Sequence, residues 1–470
     1  MSKNRGVATI VASAARRLLV TAAIIFLDPF NFGAVTEQAS ADVFTKLASP
    51  WYPTTERDRI VVVMIEESDL PLAEAGCPLV GECEGKTWPI AFSEHAALIN
   101  SIIGDDPEGY PAAVFIDILF NNPHVNDPSF GSLAEVAARG GAKRSANYPP
   151  IVFATEPQKQ YDPSSPQAAP VRGSPSLLEG VEGALTAHVS WIGEGYPLSV
   201  NDNGADERTA AAALYEFASG DKLAGDAPPM MALWGYNPIA GSTYAELQKD
   251  GAQAERACPK AETSIARAAA MSVAAASGAF ANANDRASAR WRMMQPCSFH
   301  AEISAADMLP SGFESEFRFR ETLKGSIVIV AARIAGIADN VTSPVHGMLP
   351  GGYYHAMALD NLLVFGDSYF RAAPRIGAAA LPLSGAFEFV LLFLGVCAAT
   401  GISFSQRPGW RTKAFTSLMI FGAALGLLYL SATVMRSPAI NWLGALTLAI
   451  GNILQAAPRG GRGGNERKTL

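Results

Sequence analysis

Short apolar runs rich in β-branched residues recur along the chain: Ile60–Ile65, Ala113–Phe120, Pro150–Ala154, Leu185–Trp191 and Ile327–Ala331. Each is apolar throughout rather than alternating, and strands of that kind are buried on both faces, as in parallel sheets. Between the first two, Phe92–Ile103 has a helical pattern, with Ala96, Leu98, Ile99, Ile102 and Ile103 available for an apolar face. Ser132–Arg139 reads as a second helix, and Ala356–Val364 as a third after the last strand. Strand, helix, strand, helix, strand is a βαβ series, whose crossovers are right-handed almost always. The pattern predicts an α/β domain with a mostly parallel sheet and flanking helices.

A different pattern takes over towards the C-terminus. Leu383–Phe404, Ala414–Met435 and Pro438–Gln455 are nearly continuous apolar runs, with Glu388 and the flanking Arg436 as the charges in or beside them. A bilayer core of about 30 Å needs roughly 20 helical residues, so each run is a candidate transmembrane helix. The composition agrees: 49% of the 470 residues are hydrophobic and 17% charged, against about 25% charged in ordinary soluble domains. A fourth candidate begins at Leu18–Leu27, behind Arg16 and Arg17, and extends past Asp28 to Val35. Two readings of it stand, an uncleaved anchor or a signal peptide cut near Ala39-Ser40-Ala41.

Basic residues then set the orientation. Lys3, Arg5, Arg16 and Arg17 precede the first run; Arg407, Arg411 and Lys413 lie between the second and third; Arg459, Arg462, Arg467 and Lys468 follow the last. All fall on one side if the intervening domain is exported. The expected layout is a cytoplasmic stub and anchor over 1–35, an extracytoplasmic domain over 36–380, three transmembrane helices within 383–455, and a basic cytoplasmic tail over 456–470. That places the protein in a bacterial inner membrane with its large domain periplasmic. Within the domain, residues 157–176 read as an exposed loop and 222–320 as an insertion on the α/β frame, with an alanine-rich helix at Ser264–Asn282.

Cysteine usage fits export. Cys77 and Cys83 bracket a Pro/Gly-rich loop, Cys258 and Cys297 an Ala-rich segment, and Cys397 lies in a proposed span. Four exported cysteines allow three pairings; proximity favours 77–83 and 258–297, with free thiols as the alternative. Metal-type CxxC or CxxH spacings are absent, so no zinc site is expected.

Together these features resemble the CHASE2 family of bacterial extracytoplasmic sensor domains. The resemblance starts at Asp28-Pro29-Phe30-Asn31-Phe32-Gly33 and runs through Trp51-Tyr52-Pro53, the strand ending Met64-Ile65-Glu66-Glu67, Trp88-Pro89, and the Asp117-Ile118-Leu119-Phe120 end of the second strand. Its most distinctive block runs from Gly325 to Ala332, then Gly336-Ile337-Ala338-Asp339-Asn340-Val341-Thr342-Ser343-Pro344, Leu349-Pro350-Gly351 and His355 to Leu363. The family commonly has Pro-Gly-Val-Glu-x-His-Ala there, whereas this chain has Gly352 and Tyr353 in place of Val and Glu. The family implies sensing ahead of a cyclase or kinase module. The 15 residues of the tail are too few for one, so output is expected in trans.

Ligands of open α/β sheets bind beyond the carboxyl ends of the strands. Glu66, Glu67, Asp117 and Asp339 gather near that edge if the strands are parallel, with Thr342, His346 and His355 close by. Such a pocket suits a cation or a cationic or hydroxylated small molecule, although Asp and Glu also cap helices at such points. No Gly-x-Ser-x-Gly elbow, His-Glu-x-x-His or P-loop occurs in the sequence, so an enzyme is not expected, nor a cofactor or a metal. The expected partners are the lipid bilayer, an unidentified small ligand, a cytoplasmic kinase or cyclase in trans and a second copy of the chain; nucleic acid is not among them. The alternative function is a structural or scaffolding envelope protein that docks another protein and senses nothing.

Overall fold

All of the β-branched runs become strands of a single sheet. The computed structural model describes residues 41, 42, 44–46, 48–66, 88–121, 127–156, 176–189, 195–202, 205–239, 243–247, 253–258, 297–308, 319–334, 339–371, 375, 376, 381, 382, 410–433 and 436. The chain divides into two compact units, Thr45–Tyr369 and a second made of Met1–Phe44 with Phe370–Leu470.

In the first unit, β1 (Ile60–Glu66), β2 (Ala113–Ile116), β3 (Ile151–Thr155) and β4 (Leu185–His188) come first, with α1 (Phe92–Ile103) between β1 and β2 and α2 (Phe130–Arg139) between β2 and β3. Later come the hairpins β5 (Ser199–Asp202) to β6 (Ala205–Arg208) and β7 (Thr243–Leu247) to β8 (Gln253–Ala257), separated by α3 (Ala210–Ser219). The unit closes with β9 (Ala301–Ser304), β10 (Ile327–Arg333), the hairpin β11 (Asn340–Ser343) to β12 (Gly347–Pro350), and α4 (Gly351–Phe365).

The main sheet has six strands in the order β4-β3-β2-β10-β1-β9, and each neighbouring pair is parallel. Side chains alternate across a strand with period two. Val61, Val63 and Ile65 join Val114, Ile116, Phe153, Val328 and Val330 in a core with Phe92, Leu98, Ile99 and Ile102 of α1 and Leu133 and Val136 of α2. The opposite face packs against α3 and α4, which also pack on each other. The result is three layers, helix–sheet–helix, as a doubly covered parallel sheet requires.

The range expected as an insertion, 222–320, contributes both the β7–β8 hairpin and β9, an edge strand beside β1. Ala-Glu-Ile-Ser has one buried side chain, Ile303, so it lacks the continuous apolar signature of a central strand. The helix expected at 264–282 lies outside the described residues.

Among the described residues no helix is long and apolar enough to cross a membrane. The longest, α5 (Trp410–Thr433), has 24 residues and falls on the third proposed span. The other three proposed spans lie outside the described residues.

Candidate functional site

A parallel sheet brings every strand's carboxyl end to one edge, and α4 starts at that edge. Glu66 closes β1, Arg333 closes β10 opposite it in register, and Asp117 follows β2 directly. The helix enters close to the sheet because it begins with two glycines. A side chain at Gly352 would collide with the Ala331 methyl of β10 and lie 3.4 Å from Asp117 Oδ2, and one at Gly351 would collide with the Asp339 carboxyl. Pro350 leads into the helix, and Gly366, with φ of 53°, ends it by returning its N–H to the Leu362 carbonyl.

Asp117 and His355 meet under this helix. His355 Nε2 lies 3.7 Å from Asp117 Oδ1, and their side chains are 4% and 6% exposed. His355 Nδ1 is 2.7 Å from the Tyr196 hydroxyl, which accepts the Ala211 amide at 3.0 Å. A hydroxyl that accepts from Ala211 and donates to Nδ1 leaves the proton of neutral His355 on Nε2, facing Asp117. Phe115 of β2 lies edge-on to the imidazole at 5.6 Å. Burial lowers the His355 pKa to about 3, so the ring is uncharged at neutral pH. Burial pushes the Asp117 carboxyl well up, and the nearby Asp339 charge adds to this. Its Oδ2 is buried with no hydrogen-bond partner. Asp339 reaches solvent at the rim. Partial loss of water there also pushes its carboxyl up, against the pull of the Gly351 amide.

Beside this lies a second, more exposed cluster. Arg333 pairs with Glu66 at 2.6 Å and Glu302 at 3.0 Å, and the Arg333 and Glu66 side chains are 42% and 38% exposed. Tyr353 of α4 donates its hydroxyl to Glu302, tying helix to edge strand. Exposed ion pairs contribute at most about 1 kcal/mol each, so this network orients the rim more than it stabilises the fold.

The structure therefore splits the acids expected at one edge. Asp117, Asp339 and His355 come together, and Glu66 belongs to the Arg333 network. Thr342 is exposed on β11 opposite Met348, and Glu67 lies outside the described residues. His346 faces away, its Nε2 bonded to the Gly235 carbonyl at 2.9 Å. Cys258 and Cys297 are disulfide-bonded, while Cys77 and Cys83 lie outside the described residues. Tyr196, Glu302, Arg333 and Tyr353 were not legible as site residues, since each reaches the edge from a segment distant in sequence. The departure at Gly352-Tyr353 was the one available signal. Among the described residues, no group of three His, Cys, Asp or Glu is placed to hold a metal ion.

The profile of the CHASE2 domain matches residues 18–401 of the 470. This chain belongs to the CHASE2 family. No curated protein and no solved structure matches it. CHASE2 domains are extracytoplasmic sensor domains of membrane proteins, and in this member the Asp117–His355 pair sits at the strand-end edge where an α/β sheet takes its ligands.

The two groups of this CHASE2 site should titrate in opposite directions. Between pH about 6.5 and 3 the unfolded chain protonates His355 while the native chain does not. Stability contributed by neutral His355 is thus complete above pH about 6.5 and lost as pH falls towards 3. Asp117 is the reverse, because above pH about 4 the unfolded chain sheds a proton that the native chain keeps. Asp117→Asn should therefore steepen the loss of Tm between pH 6 and 4, and His355→Gln should flatten or invert it, each by up to about 1.4 kcal/mol per pH unit. Identical pH profiles in both variants would remove these groups from the acid response.

Proposed function

We propose that this CHASE2 protein is a membrane-anchored, non-enzymatic receiver that binds a small ligand from outside the cytoplasm at Asp117, His355 and Asp339. Occupancy would then be passed to a separate cytoplasmic partner. The observation that carries the reading is Asp117 Oδ2, a buried carboxyl oxygen with no hydrogen-bond partner at the ligand-binding edge of the sheet. Buried polar atoms are nearly always satisfied, so such an atom marks where an external donor belongs. The disulfide Cys258–Cys297 supports an oxidising compartment for the domain.

Membrane anchoring is supported by α5. It falls on the third apolar run of the sequence, Ala414–Met435. Phe415, Leu418, Met419, Phe421, Tyr429 and Leu430 are exposed on it, which an aqueous surface would penalise and lipid would not. A path to the partner is supported by α4, which carries His355 in its first turns, ends at Phe365, and is followed by the second unit from Phe370. A ligand can shift this element only by binding its two positions with different affinity.

The test is thermal unfolding of the full chain in lipid nanodiscs against a panel of metabolites and envelope fragments. A true ligand at a hundred times its Kd should stabilise by about 2.7 kcal/mol, and Asp117→Asn should weaken it. If no compound stabilises the protein and crosslinking instead recovers an envelope protein docked on the domain, the scaffolding function replaces the sensor.

A further inference from the structure

We propose that the ligand of this site carries a primary ammonium group, seated between the Asp117 and Asp339 carboxyls at the start of α4. The inference deepens the sensor reading and rests on it. Four observations lead to the ammonium. Two carboxyls share one site, and among the described residues neither has a lysine or arginine ion-pair partner. The titratable groups facing Asp117 are few: neutral His355 from α4, Asp339 from the segment before β11, and the Tyr196 hydroxyl from the loop before β5. The Asp117 side chain is 6% exposed and its Oδ2 has no donor. The residue facing Oδ2 from the helix is Gly352, which has no side chain to cover it.

The rival chemistries fit less well. A helix N-terminus attracts anions with about half an elementary charge, but here Asp339 already caps the Gly351 amide. An anion would meet two carboxyls as well. A divalent metal needs more side-chain ligands than converge here among the described residues. A neutral hydroxyl could pair with Oδ2 but would leave the Asp339 carboxyl without a countercharge. A primary ammonium has three N–H donors and one positive charge, enough to serve Asp117 Oδ2 and Asp339 together. Oxygen acceptors paired with a cation make the stronger, charge-assisted bonds.

Proton balance follows from the site. Without ligand, burial and then the Asp339 charge both favour the protonated form of Asp117. Binding converts the neutral carboxyl and an alkylammonium into a carboxylate–ammonium pair and releases one proton to solvent. Protons therefore compete with the ligand, and affinity should rise with pH until the amine itself deprotonates, near pH about 10.

The matched probes are butylammonium, butanol and butyrate, which differ at the terminal group alone, titrated calorimetrically into the full chain in nanodiscs in two buffers of different ionisation heat. Butylammonium should bind, release a fraction of a proton that shrinks as pH rises, and lose at least about tenfold in affinity in Asp117→Asn. Asp339→Asn, at a solvent-exposed position, should lose affinity as well. The proposal is overturned if butanol or butyrate binds as tightly, if binding is independent of both carboxyls, or if the site responds to pH alone with no ammonium bound. It also fails if a non-cationic compound stabilises the protein through Asp117, an outcome that leaves the sensor reading intact. A completely inert panel of metabolites and probes sinks both.

Discussion

Asp360→Ala is expected to destabilise the Thr45–Tyr369 unit by about 4 kcal/mol, since two buried donors lose their acceptor at about 1–3 kcal/mol each. Asp360 lies in α4, and its side chain is fully buried together with that of His300. Its Oδ1 accepts the Tyr52 hydroxyl at 2.6 Å, and its Oδ2 lies 3.2 Å from His300 Nε2. Tyr52 is packed edge-on against Phe299 at 5.4 Å and Phe365 at 6.0 Å, so it has no room to turn its hydroxyl to water. Burial, then the Asp360 charge, pushes the Tyr52 pKa well up, which keeps the hydroxyl a donor at any physiological pH. One carboxylate thus pins three distant parts of the chain: the segment before β1, the entry to β9, and α4.

Asp360→Asn should cost less than alanine, because its amide oxygen can still accept from Tyr52. Differential scanning calorimetry of the three proteins checks the order: wild type highest, asparagine between, alanine lowest by on the order of 10 °C. An alanine variant that melts with wild type would mean that the triad is not a fastening. The same variants separate fastening from sensing, since Asp360 lies apart from the Asp117 site and intrinsic affinity for a ligand there should survive wherever the protein is folded.

Reduction of Cys258–Cys297 should cost a similar amount by a different route. The bond links residues separated by 39 positions, and closing a loop of that length removes about 4 kcal/mol of unfolded-chain entropy in the chain-entropy account. On the native side, Cys297 is buried and leads directly into Phe299 and His300, the residues that pack on Tyr52 and reach Asp360. Cys258 follows β8, so the disulfide fastens the β7–β8 hairpin to the approach of the edge strand. Cys297→Ala, or wild type held in reductant, should therefore melt on the order of 10 °C lower than the oxidised protein. A reduced protein with unchanged Tm would show that the bond ties together parts that are already fixed. Because an intracellular compartment would keep the thiols reduced, the same experiment measures how much the domain depends on its expected location.

How much of this was legible depended on how local the signal was. β1, β3 and β10 were readable because each is buried on both faces and therefore apolar at every position but its last, a property that neighbours in sequence display together. α1 was readable to its ends, Phe92–Ile103, because its buried face repeats at helical spacing. β9 was not, since an edge strand with Ile303 as its buried side chain leaves no run to find. The membership in CHASE2 was legible from the blocks around Asp117 and Gly336–Leu363. The partners within the site were not: Tyr196 reaches His355 from 159 positions away, and Arg333 reaches Glu66 across 267.

The pairing of carboxyls changed most between the two levels. From sequence, Glu66, Asp117 and Asp339 are equivalent acids near strand ends. Strand order separates them, because β10 inserts between β1 and β2 and carries Arg333 to Glu66. The charge of Glu66 is thereby neutralised at the rim, while Asp117 is left under α4 with a neutral imidazole. Gly352 and Tyr353 are conspicuous in sequence as departures from the family run. Only packing gives them reasons: the helix approaches Ala331 too closely for a side chain at 352, and Glu302 supplies the acceptor that Tyr353 needs.

The sequence by itself determined the α/β class, the parallel sheet and the family, because burial on both faces of a strand and the apolar face of a helix are written in consecutive residues. Tertiary structure alone decided strand order, the edge strand, and which acid stands unpaired beside His355. Those depend on which side chains from distant segments exclude water from one another, and no local pattern encodes that.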